Sequence, residues 1–264
     1  MANLMHRVKE YLLYTFRKKG AHALHSPFVF EFYNKVIYDN EPAYVYSKIL
    51  KARKMVLSNR NVIETVDFGS GSGEKDFSTF RARVNALAKK RSLPIKYYKL
   101  LYRLSSFLKP NNILEFGTFT GLSTTSLALG SPGSKIVTME GCASLANVAA
   151  GVLGKNDIQG VEIAIGNFNN LLGNILEQNQ VFDLVFFDGN HRKLPTLNYF
   201  NHCLEKAGTE SVFIFDDIHW SPEMNEAWDE ICAHPQVTLS LDLFQFGIVF
   251  FKKGIQKQHF VLRM

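Results

Sequence analysis

The sequence predicts an α/β fold whose sheet is mostly parallel and ends in an antiparallel hairpin. Short apolar runs alternate with segments of helical spacing from residue 111 onward, which implies βαβ units with right-handed crossovers. The last two runs are joined by little more than Gln245, and so short a join permits only an antiparallel pair. With 264 residues, 46% of them hydrophobic, the chain is long enough to bury a full core.

Five apolar runs predict the parallel strands, and two more predict the hairpin. The hairpin is expected from VTLSLDLF and FGIVFFKK, after a helix formed by SPEMNEAWDEICAH. The sheet therefore has seven predicted strands. The five parallel ones are expected within 111–117, 134–141, 161–167, 182–189 and 211–217.

The first 110 residues differ in charge from the rest of the chain. They contain 21 Lys and Arg against 8 Asp and Glu, whereas residues 111–264 contain 9 against 16. One interpretation is that the basic part packs on the acidic part and the charges partly compensate. The other is that a basic surface recruits an anionic substrate or nucleic acid.

This basic region is predicted to be helical. Helical spacing favours helices over 4–19, 28–38 and 43–57, and aromatic side chains on such helices are typical of packing contacts. We therefore expect a basic helical extension over residues 1–92 and a second domain over residues 93–264.

Cysteine usage and hydropathy indicate the compartment. The three cysteines, Cys142, Cys203 and Cys232, are scattered singly, which argues for a reducing compartment and against structural zinc. Lys and Arg interrupt the apolar residues of the N-terminus, and no apolar run is long enough to span a bilayer. The sequence thus predicts a cytoplasmic protein without a membrane span.

Two stretches that contain glycines are candidates for a nucleotide site. The stretch TVDFGSGSGEK includes the Gly/Ser-rich loop 69–73, but the residues after it are basic and helical, with no second strand and no acidic residue. The turn Gly117–Gly121 is followed by a helix, a strand and then Glu140, which are the elements that a nucleoside-binding βαβ unit needs. The turn is therefore the predicted cofactor site, and loop 69–73 is either a flexible link or a mobile lid.

The spacing of this turn limits the kind of cofactor. G-x-x-x-G lacks the middle glycine with which dinucleotide folds approach a pyrophosphate, and the chain has no G-x-x-x-x-G-K-[ST] loop. The turn suits a ligand that has a nucleoside but no phosphates.

Five motifs carry a resemblance to a known family: ILEFGTFTGLST, IVTMEG, GVEIAIGN, FDLVFFDGNH and VFIFDDIHW. Over about residues 95–252 they resemble class I S-adenosylmethionine-dependent methyltransferases, in particular the O-methyltransferase branch that contains the catechol, caffeoyl-CoA and macrolide-sugar enzymes. The resemblance implies a seven-stranded, Rossmann-like methyltransferase sheet with helices on both faces. It also implies S-adenosylmethionine as cofactor and methyl transfer to a hydroxyl oxygen of a small molecule. Residues 1–90 match no part of that family.

The resemblance assigns parts of the cofactor to particular residues. The methionine part lies beside Glu115 and the glycine turn, with its carboxylate near Ser123, and the ribose hydroxyls bind Glu140. The adenine is expected to contact Asn167 and Phe168, which follow the third strand. An Asn at that place is also an ordinary turn residue. The implied cofactor residues are Glu115, Gly117, Thr118, Phe119, Gly121, Ser123, Glu140, Asn167, Phe168 and Asp188.

Three aspartates end two of the predicted strands: Asp188 follows the fourth, and Asp216 and Asp217 follow the fifth. Three carboxylates at one sheet edge repel one another unless a cation lies among them. In the metal-dependent members of the resembled family this pattern holds a divalent ion. The resemblance therefore implies a site for Mg²⁺ or another divalent cation, which would lower the pKa of the methylated hydroxyl. The alternative is a metal-free enzyme in which Asp188 contacts the cofactor and Asp217 caps a helix.

Two histidines are candidates for the general base. His191 lies three residues after Asp188, where the catechol-type members carry a lysine, and His219 follows the aspartate pair. Imidazole titrates near neutral pH, so either ring suits the removal of a hydroxyl proton. Both residues also fit simple substrate contacts.

The expected partners are a small hydroxyl compound, anionic if the basic surface recruits it, and a second copy of the chain in a homodimer. A nucleic-acid methyltransferase is the first alternative. It is opposed by DGNH after the fourth strand, where enzymes that methylate exocyclic amines carry an Asn/Asp-Pro-Pro-aromatic tetrad, and by the lack of a Pro-Cys pair. The second alternative is a non-catalytic binding protein that keeps the fold.

Overall fold

The computed structural model describes residues 2–67, 78–178, 181–254 and 256–264. Loop 69–73, interpreted above as a link or a lid, lies outside the described residues. The chain divides into two compact units, Met1–Tyr33 with Leu176–Met264 and Asn34–Ile175. The domain boundary between residues 92 and 93 stays a prediction.

The elements alternate between strand and helix over most of the chain. The helices are α1 (Ala2–Arg17), α2 (Pro27–Phe32), α3 (Ser47–Ser58), α4 (Val84–Arg91), α5 (Ile95–Leu108), α6 (Leu122–Gly130), α7 (Ala143–Lys155), α8 (Phe168–Gln178), α9 (Lys193–Leu204) and α10 (Pro222–Ala233). The strands are β1 (Val62–Asp67), β2 (Ser78–Arg83), β3 (Asn112–Phe116), β4 (Lys135–Glu140), β5 (Val161–Ile165), β6 (Leu184–Phe187), β7 (Val212–Asp216), β8 (Leu239–Asp242), β9 (Phe246–Phe250) and β10 (Gln258–Val261).

The unit Asn34–Ile175 contains β3, β4 and β5, which pair in parallel in that order. Ile113 lies opposite Ile136, and Ile136 lies opposite Val161. β3 is buried along nearly its whole length, as expected for a parallel strand that is covered on both faces. Helix α5 packs on α6, and α3 packs on α4 and α7.

The other unit contains the remaining five strands of the sheet, in the order β10-β8-β9-β7-β6. β6 and β7 are parallel, whereas β9 is antiparallel to both β7 and β8. The predicted α/β fold, with a mostly parallel sheet and an antiparallel hairpin near its end, is thereby confirmed. The sheet has eight strands, where seven were expected, because β10 adds to β8 in parallel.

The region before β3 is helical, as predicted, but it also contains an antiparallel hairpin. β1 and β2 pair from Val62 opposite Arg83 to Asp67 opposite Ser78. The expectation that no second strand follows the first glycine-containing stretch is therefore wrong. The basic residues of β2 hid the strand because they break the apolar alternation by which a half-buried strand is recognised. In the described part of the chain no helix has the length and apolar composition needed to cross a bilayer.

Candidate active site

The turn between β3 and α6 is tied to strand β4. The backbone N–H groups of Gly117 and Thr118 both donate to the Met139 carbonyl oxygen, at 2.9 and 3.0 Å. The hydroxyls of Thr118 and Thr138 lie 2.6 Å apart and share a hydrogen bond. These contacts fix the start of the predicted cofactor turn.

Glu140 occupies the position expected for the ribose-binding carboxylate, at the end of β4. Its side chain is only 8% exposed, and its two oxygens accept backbone N–H groups from Phe119, at 2.7 Å, and from Cys142, at 2.9 Å. Phe119 reaches this position with a left-handed backbone, φ 49°, which is rare for a bulky residue. The carboxylate is thus held in one orientation, with lone pairs left to accept from a diol.

Glu115 supports the turn from inside the sheet. It is fully buried and accepts hydrogen bonds from the hydroxyls of Thr124, at 2.5 Å, and Thr138, at 2.7 Å. One carboxylate therefore links β3, β4 and the first turns of α6. This position fits a residue that shapes the cofactor turn.

The N-terminus of α6 offers groups for an anionic part of a ligand. Gly121, the N-cap, has φ 78° and no side chain to accept from the first-turn N–H groups; a Cβ there would lie 3.2 Å from the Cβ of Ala149. Ser123 is almost completely buried in this turn. The hydroxyl oxygen of Thr120 is buried and has no hydrogen-bond partner among the residues that the structure describes. Unused donors at a helix N-terminus suit a carboxylate, such as that of S-adenosylmethionine.

Asn167 and Phe168, which follow β5 after Gly166, have local structural roles. The side-chain oxygen of Asn167 accepts from the backbone N–H of Asn169, at 2.9 Å, which makes it a turn residue at the start of α8. Phe168 contacts Phe116 edge to face, with ring centroids 5.7 Å apart. Their contact with adenine stays a prediction.

Three side chains of the other unit converge after strands β6 and β7. One ligand atom from each of Asp188, His191 and Asp216 lies within 4.8 Å of the others. The His191 Nε2 atom is 3.7 Å from Asp188 Oδ1 and 3.9 Å from Asp217 Oδ2. We call these four residues, Asp188, His191, Asp216 and Asp217, the acidic cluster. The structure thus brings together the three predicted metal ligands and the first of the two predicted bases.

Gln245 also belongs to this site. Its side-chain N–H₂ group donates to Asp216 Oδ1, at 2.6 Å, and to Asp217 Oδ1, at 2.7 Å. Asp216 pairs with Phe246 in the antiparallel register of β7 and β9, and this register places the preceding residue beside both aspartates. Sequence reasoning named Gln245 only as the join of the hairpin.

Burial and like charges raise the pKa of two carboxyls of the acidic cluster, Asp216 and Asp188. Burial raises the pKa of Asp216 well above its usual range, and the charges of Asp217 and Asp188 raise it further, against the hydrogen bond from Gln245. Burial also raises the pKa of Asp188, although a quarter of its side chain reaches solvent, and His191 partly opposes the shift. A hydrogen bond between the two carboxyls lowers the pKa of Asp188 and raises that of Asp216. Two carboxylates, a third carboxylate nearby and an imidazole form a set of ligands that suits a divalent cation.

The loops that carry these residues are strained. Asn190, Asp217 and Phe244 all have left-handed backbones, with φ between 54° and 70°. Asp217 belongs to the acidic cluster, Asn190 precedes His191, and Phe244 precedes Gln245. Such strain is found where a fold must hold functional side chains in place.

His219, the second predicted base, lies in a different network. Its Nδ1 atom is 2.8 Å from Asn225 Oδ1 and its Nε2 atom is 2.9 Å from Asp242 Oδ2, while its ring stacks on Phe244. Burial alone would lower the pKa of His219, but the hydrogen bond and charge of Asp242 outweigh it and raise the pKa. Both ring nitrogens already have oxygen partners, which leaves neither of them open to a substrate proton.

The sequence model of the O-methyltransferase family matches residues 82–246. The chain belongs to the O-methyltransferase family. A search of curated protein sequences gives no match. Among solved structures, this O-methyltransferase is similar to one from Bacillus cereus in complex with S-adenosylhomocysteine, with 19% identity, a TM-score of 0.56, and coverage of 84% of this chain and 97% of that chain.

Two further solved structures show the same fold. An O-methyltransferase from Streptomyces achromogenes involved in tomaymycin synthesis, in complex with S-adenosylmethionine, has 19% identity and a TM-score of 0.55, and the match covers 83% of this chain and 94% of that chain. A methyltransferase from Podospora anserina bound to S-adenosylhomocysteine has 14% identity and a TM-score of 0.60, with coverage of 88% and 100%.

The family match confirms the predicted enzyme class, and the solved structures in complex with S-adenosylmethionine or S-adenosylhomocysteine support the predicted cofactor. This O-methyltransferase has a Rossmann-like fold and depends on S-adenosylmethionine. Its own residues fit that cofactor, because Glu140 is fixed as an acceptor and the N-terminus of α6 keeps donors that no side chain caps. The roles of individual site residues and the metal stay predictions.

Proposed function

We propose that this O-methyltransferase transfers a methyl group to a hydroxyl oxygen of a small molecule. His191 acts as general base, and Asp188, Asp216 and Asp217 hold a divalent cation. The observation that carries the proposal is the convergence of Asp188, His191 and Asp216 within 4.8 Å.

His191 has the position that a base requires. Its side chain is 22% exposed, which leaves part of the imidazole open to an acceptor. The imidazolium that forms would be stabilised by Asp188 and Asp217, whose oxygens lie 3.7 and 3.9 Å from Nε2. S-adenosylmethionine, when bound, supplies the electrophilic methyl group.

The three aspartates have oxygens available for a cation. Asp216 and Asp217 each use Oδ1 for the bond from Gln245, which leaves Oδ2 of both residues for other partners. Burial and mutual repulsion raise the pKa of Asp216, which favours its protonated form. A divalent cation held by Asp188, Asp216 and Asp217 would lower the pKa of an acceptor hydroxyl.

The acceptor is proposed to carry a carboxylate or phosphate group. The excess of Lys and Arg over residues 1–110 supports this, because a basic surface raises the local concentration of anions at low ionic strength. The methyl transfer itself needs no strong positive charge at the reacting oxygen. Orientation of the acceptor and exclusion of water contribute more there.

The test is a screen of small phenolic and sugar-like hydroxyl compounds, each paired with its neutral analogue, with S-adenosylmethionine and mass-spectrometric detection of product. We expect O-methylated products, higher rates for the anionic member of each pair at low salt, and loss of activity on chelation that Mg²⁺ restores. Activity that survives exhaustive chelation would contradict the proposed role of the cation, and His191 would then act as a base without metal assistance. Methylation of amines alone would contradict the hydroxyl acceptor. His202→Ala, at an exposed histidine on α9, is the matched control for His191→Ala.

A further inference from the structure

Helix α1 has large apolar side chains on a face that is open to solvent. Leu4, Met5, Val8, Leu12 and Phe16 are 68%, 75%, 54%, 54% and 86% exposed. Their spacing of three and four residues puts them on one side of the helix, at about 100° per residue. We call these five residues the α1 stripe. A surface helix normally turns such a face toward the core.

The opposite side of α1 is the side that packs within its own unit. The α1 stripe is therefore not the face that this unit buries. The Tyr14 hydroxyl donates to the Leu262 carbonyl oxygen at 2.6 Å, and Tyr14 is buried. The guanidinium of Arg7 lies 4.6 Å from the centroid of the Trp220 ring. These contacts fix the helix with the α1 stripe facing outward.

Positive charge accompanies the stripe. Residues 1–19 contain five Lys and Arg against a single acidic residue, Glu10. Lys9 and Lys19 are exposed, one at the edge of the α1 stripe and the other just beyond its end, whereas Glu10 is half-buried on the packed side. Long basic side chains at the border of an apolar face are typical of helices that lie in a membrane interface.

The charge pattern favours a lipid surface over a second copy of the chain. A two-fold dimer through the stripe would bring the same patch of both copies together, and with it the same lysines. An anionic bilayer supplies apolar chains for the stripe and negative headgroups for the lysines. We propose that α1 binds anionic membrane surfaces, with the α1 stripe inserted at the boundary between headgroups and acyl chains. The proposal does not depend on the methyl acceptor.

The test is flotation of the full-length protein with phosphatidylcholine vesicles that contain or lack phosphatidylglycerol. We expect binding to the anionic vesicles, weakened by salt, and little binding to the neutral ones. The double variant Leu12→Asp, Phe16→Asp is expected to lose on the order of tenfold or more in vesicle binding. Lys9→Gln is expected to lose about five-fold, with anionic vesicles only.

Leu194→Asp is the matched control, because Leu194 is 71% exposed on α9 and is not part of the α1 stripe. It should bind vesicles like the wild type. All variants should keep wild-type affinity for S-adenosylmethionine in calorimetry, which shows that they are folded and separates this test from that of the methyl acceptor. Absence of binding to anionic vesicles at low salt would overturn the proposal. So would a dimer in light scattering that the Leu12→Asp, Phe16→Asp variant dissolves, since a second copy would then cover the stripe.

Discussion

The carboxylates of the cofactor turn and those of the acidic cluster are both largely removed from water, but their surroundings differ. Glu140 accepts two backbone N–H groups, and Glu115 accepts two threonine hydroxyls. In the acidic cluster, Asp216 faces Asp188 and Asp217, and burial together with these like charges raises its pKa. Each carboxylate of the first region accepts from two donors of its own. In the second region one Gln245 amide serves both Asp216 and Asp217, and the like charges still raise the pKa of Asp216.

This difference separates two ways in which a fold prepares a site. A carboxylate that is already held by internal donors is ready to accept from a neutral diol without rearrangement. Carboxylates that repel one another store unfavourable energy until a proton or a cation joins them. We infer that the cofactor turn serves to orient a neutral ligand group and that the acidic cluster serves to bind a positive charge.

The largest expected effect comes from Asp216→Asn, which removes the most strongly perturbed carboxylate. Under the proposed function it should lower kcat/KM by on the order of 10²–10⁴-fold, because the cation loses a buried ligand and the acceptor hydroxyl becomes harder to deprotonate. The measurement is initial rates with the best acceptor from the screen, at saturating Mg²⁺. The control is Asp229→Asn, at an exposed aspartate on α10, which should keep wild-type rates.

The same substitution should stabilise the metal-free protein. The raised pKa of Asp216 means that the folded state keeps a proton which the unfolded chain has released. The stability contributed by this group is therefore present below the ordinary Asp pKa and is lost as the pH rises through the raised value. In thermal unfolding with chelator, wild-type Tm should fall more than that of Asp216→Asn from about pH 5 to about pH 8. A difference of 1 kcal/mol corresponds to roughly 2–4 °C. If Tm fell equally with pH in the two proteins, the pKa of Asp216 would not be raised in the folded state.

A smaller effect is expected in the cofactor turn, from Glu140→Ala. The loss of a fixed acceptor should weaken S-adenosylmethionine binding by roughly 1–3 kcal/mol in calorimetry. Glu140→Gln should lie between wild type and Glu140→Ala, since it keeps one acceptor oxygen, and Glu162→Ala, at an exposed position on β5, should bind normally. Normal binding by Glu140→Ala would mean that the ribose is not held by this residue.

The smallest expected effect comes from Gln245→Ala. The amide orients Asp216 and Asp217 without being one of the proposed ligands, and loss of such a residue lowers metal affinity by about tenfold. Calorimetric titration with Mg²⁺ measures this, with Gln236→Ala, at an exposed site of the same unit, as control. Tighter cation binding in the variant would show that Gln245 competes with the cation and does not support it.

The parts of the fold that sequence could predict are those with a strong local signal. The apolar runs of β3 to β9 gave the strands, and the acid that ends β4 gave Glu140, because period and strand ends are properties of a few neighbouring residues. The pattern could not show β10, whose four residues are half polar. It also could not show the β1–β2 hairpin, in which Arg81 and Arg83 lie where an apolar alternation would be expected.

The candidate site was predicted in part for the same reason. Asp188, His191, Asp216 and Asp217 follow strand ends, so their convergence could be expected from topology. Gln245 could not, because its contacts depend on the register between β7 and β9 and on the left-handed backbone of Phe244. The hydrogen bond between His219 and Asp242 likewise depends on where strand β8, which ends at Asp242, lies in the sheet. Long-range register is set by packing of the whole sheet, and no short window of sequence contains it.

The eighth strand has a consequence for self-association. β8 is buried along its length, and without β10 its outer edge would present a row of unpaired backbone groups to other molecules. β10 is only four residues long and begins with exposed Gln258 and His259, which makes it a poor template for further strands. Residues 258–261 thereby protect the sheet from edge-to-edge aggregation, and forms of the chain that lack them would expose the unpaired backbone edge of β8.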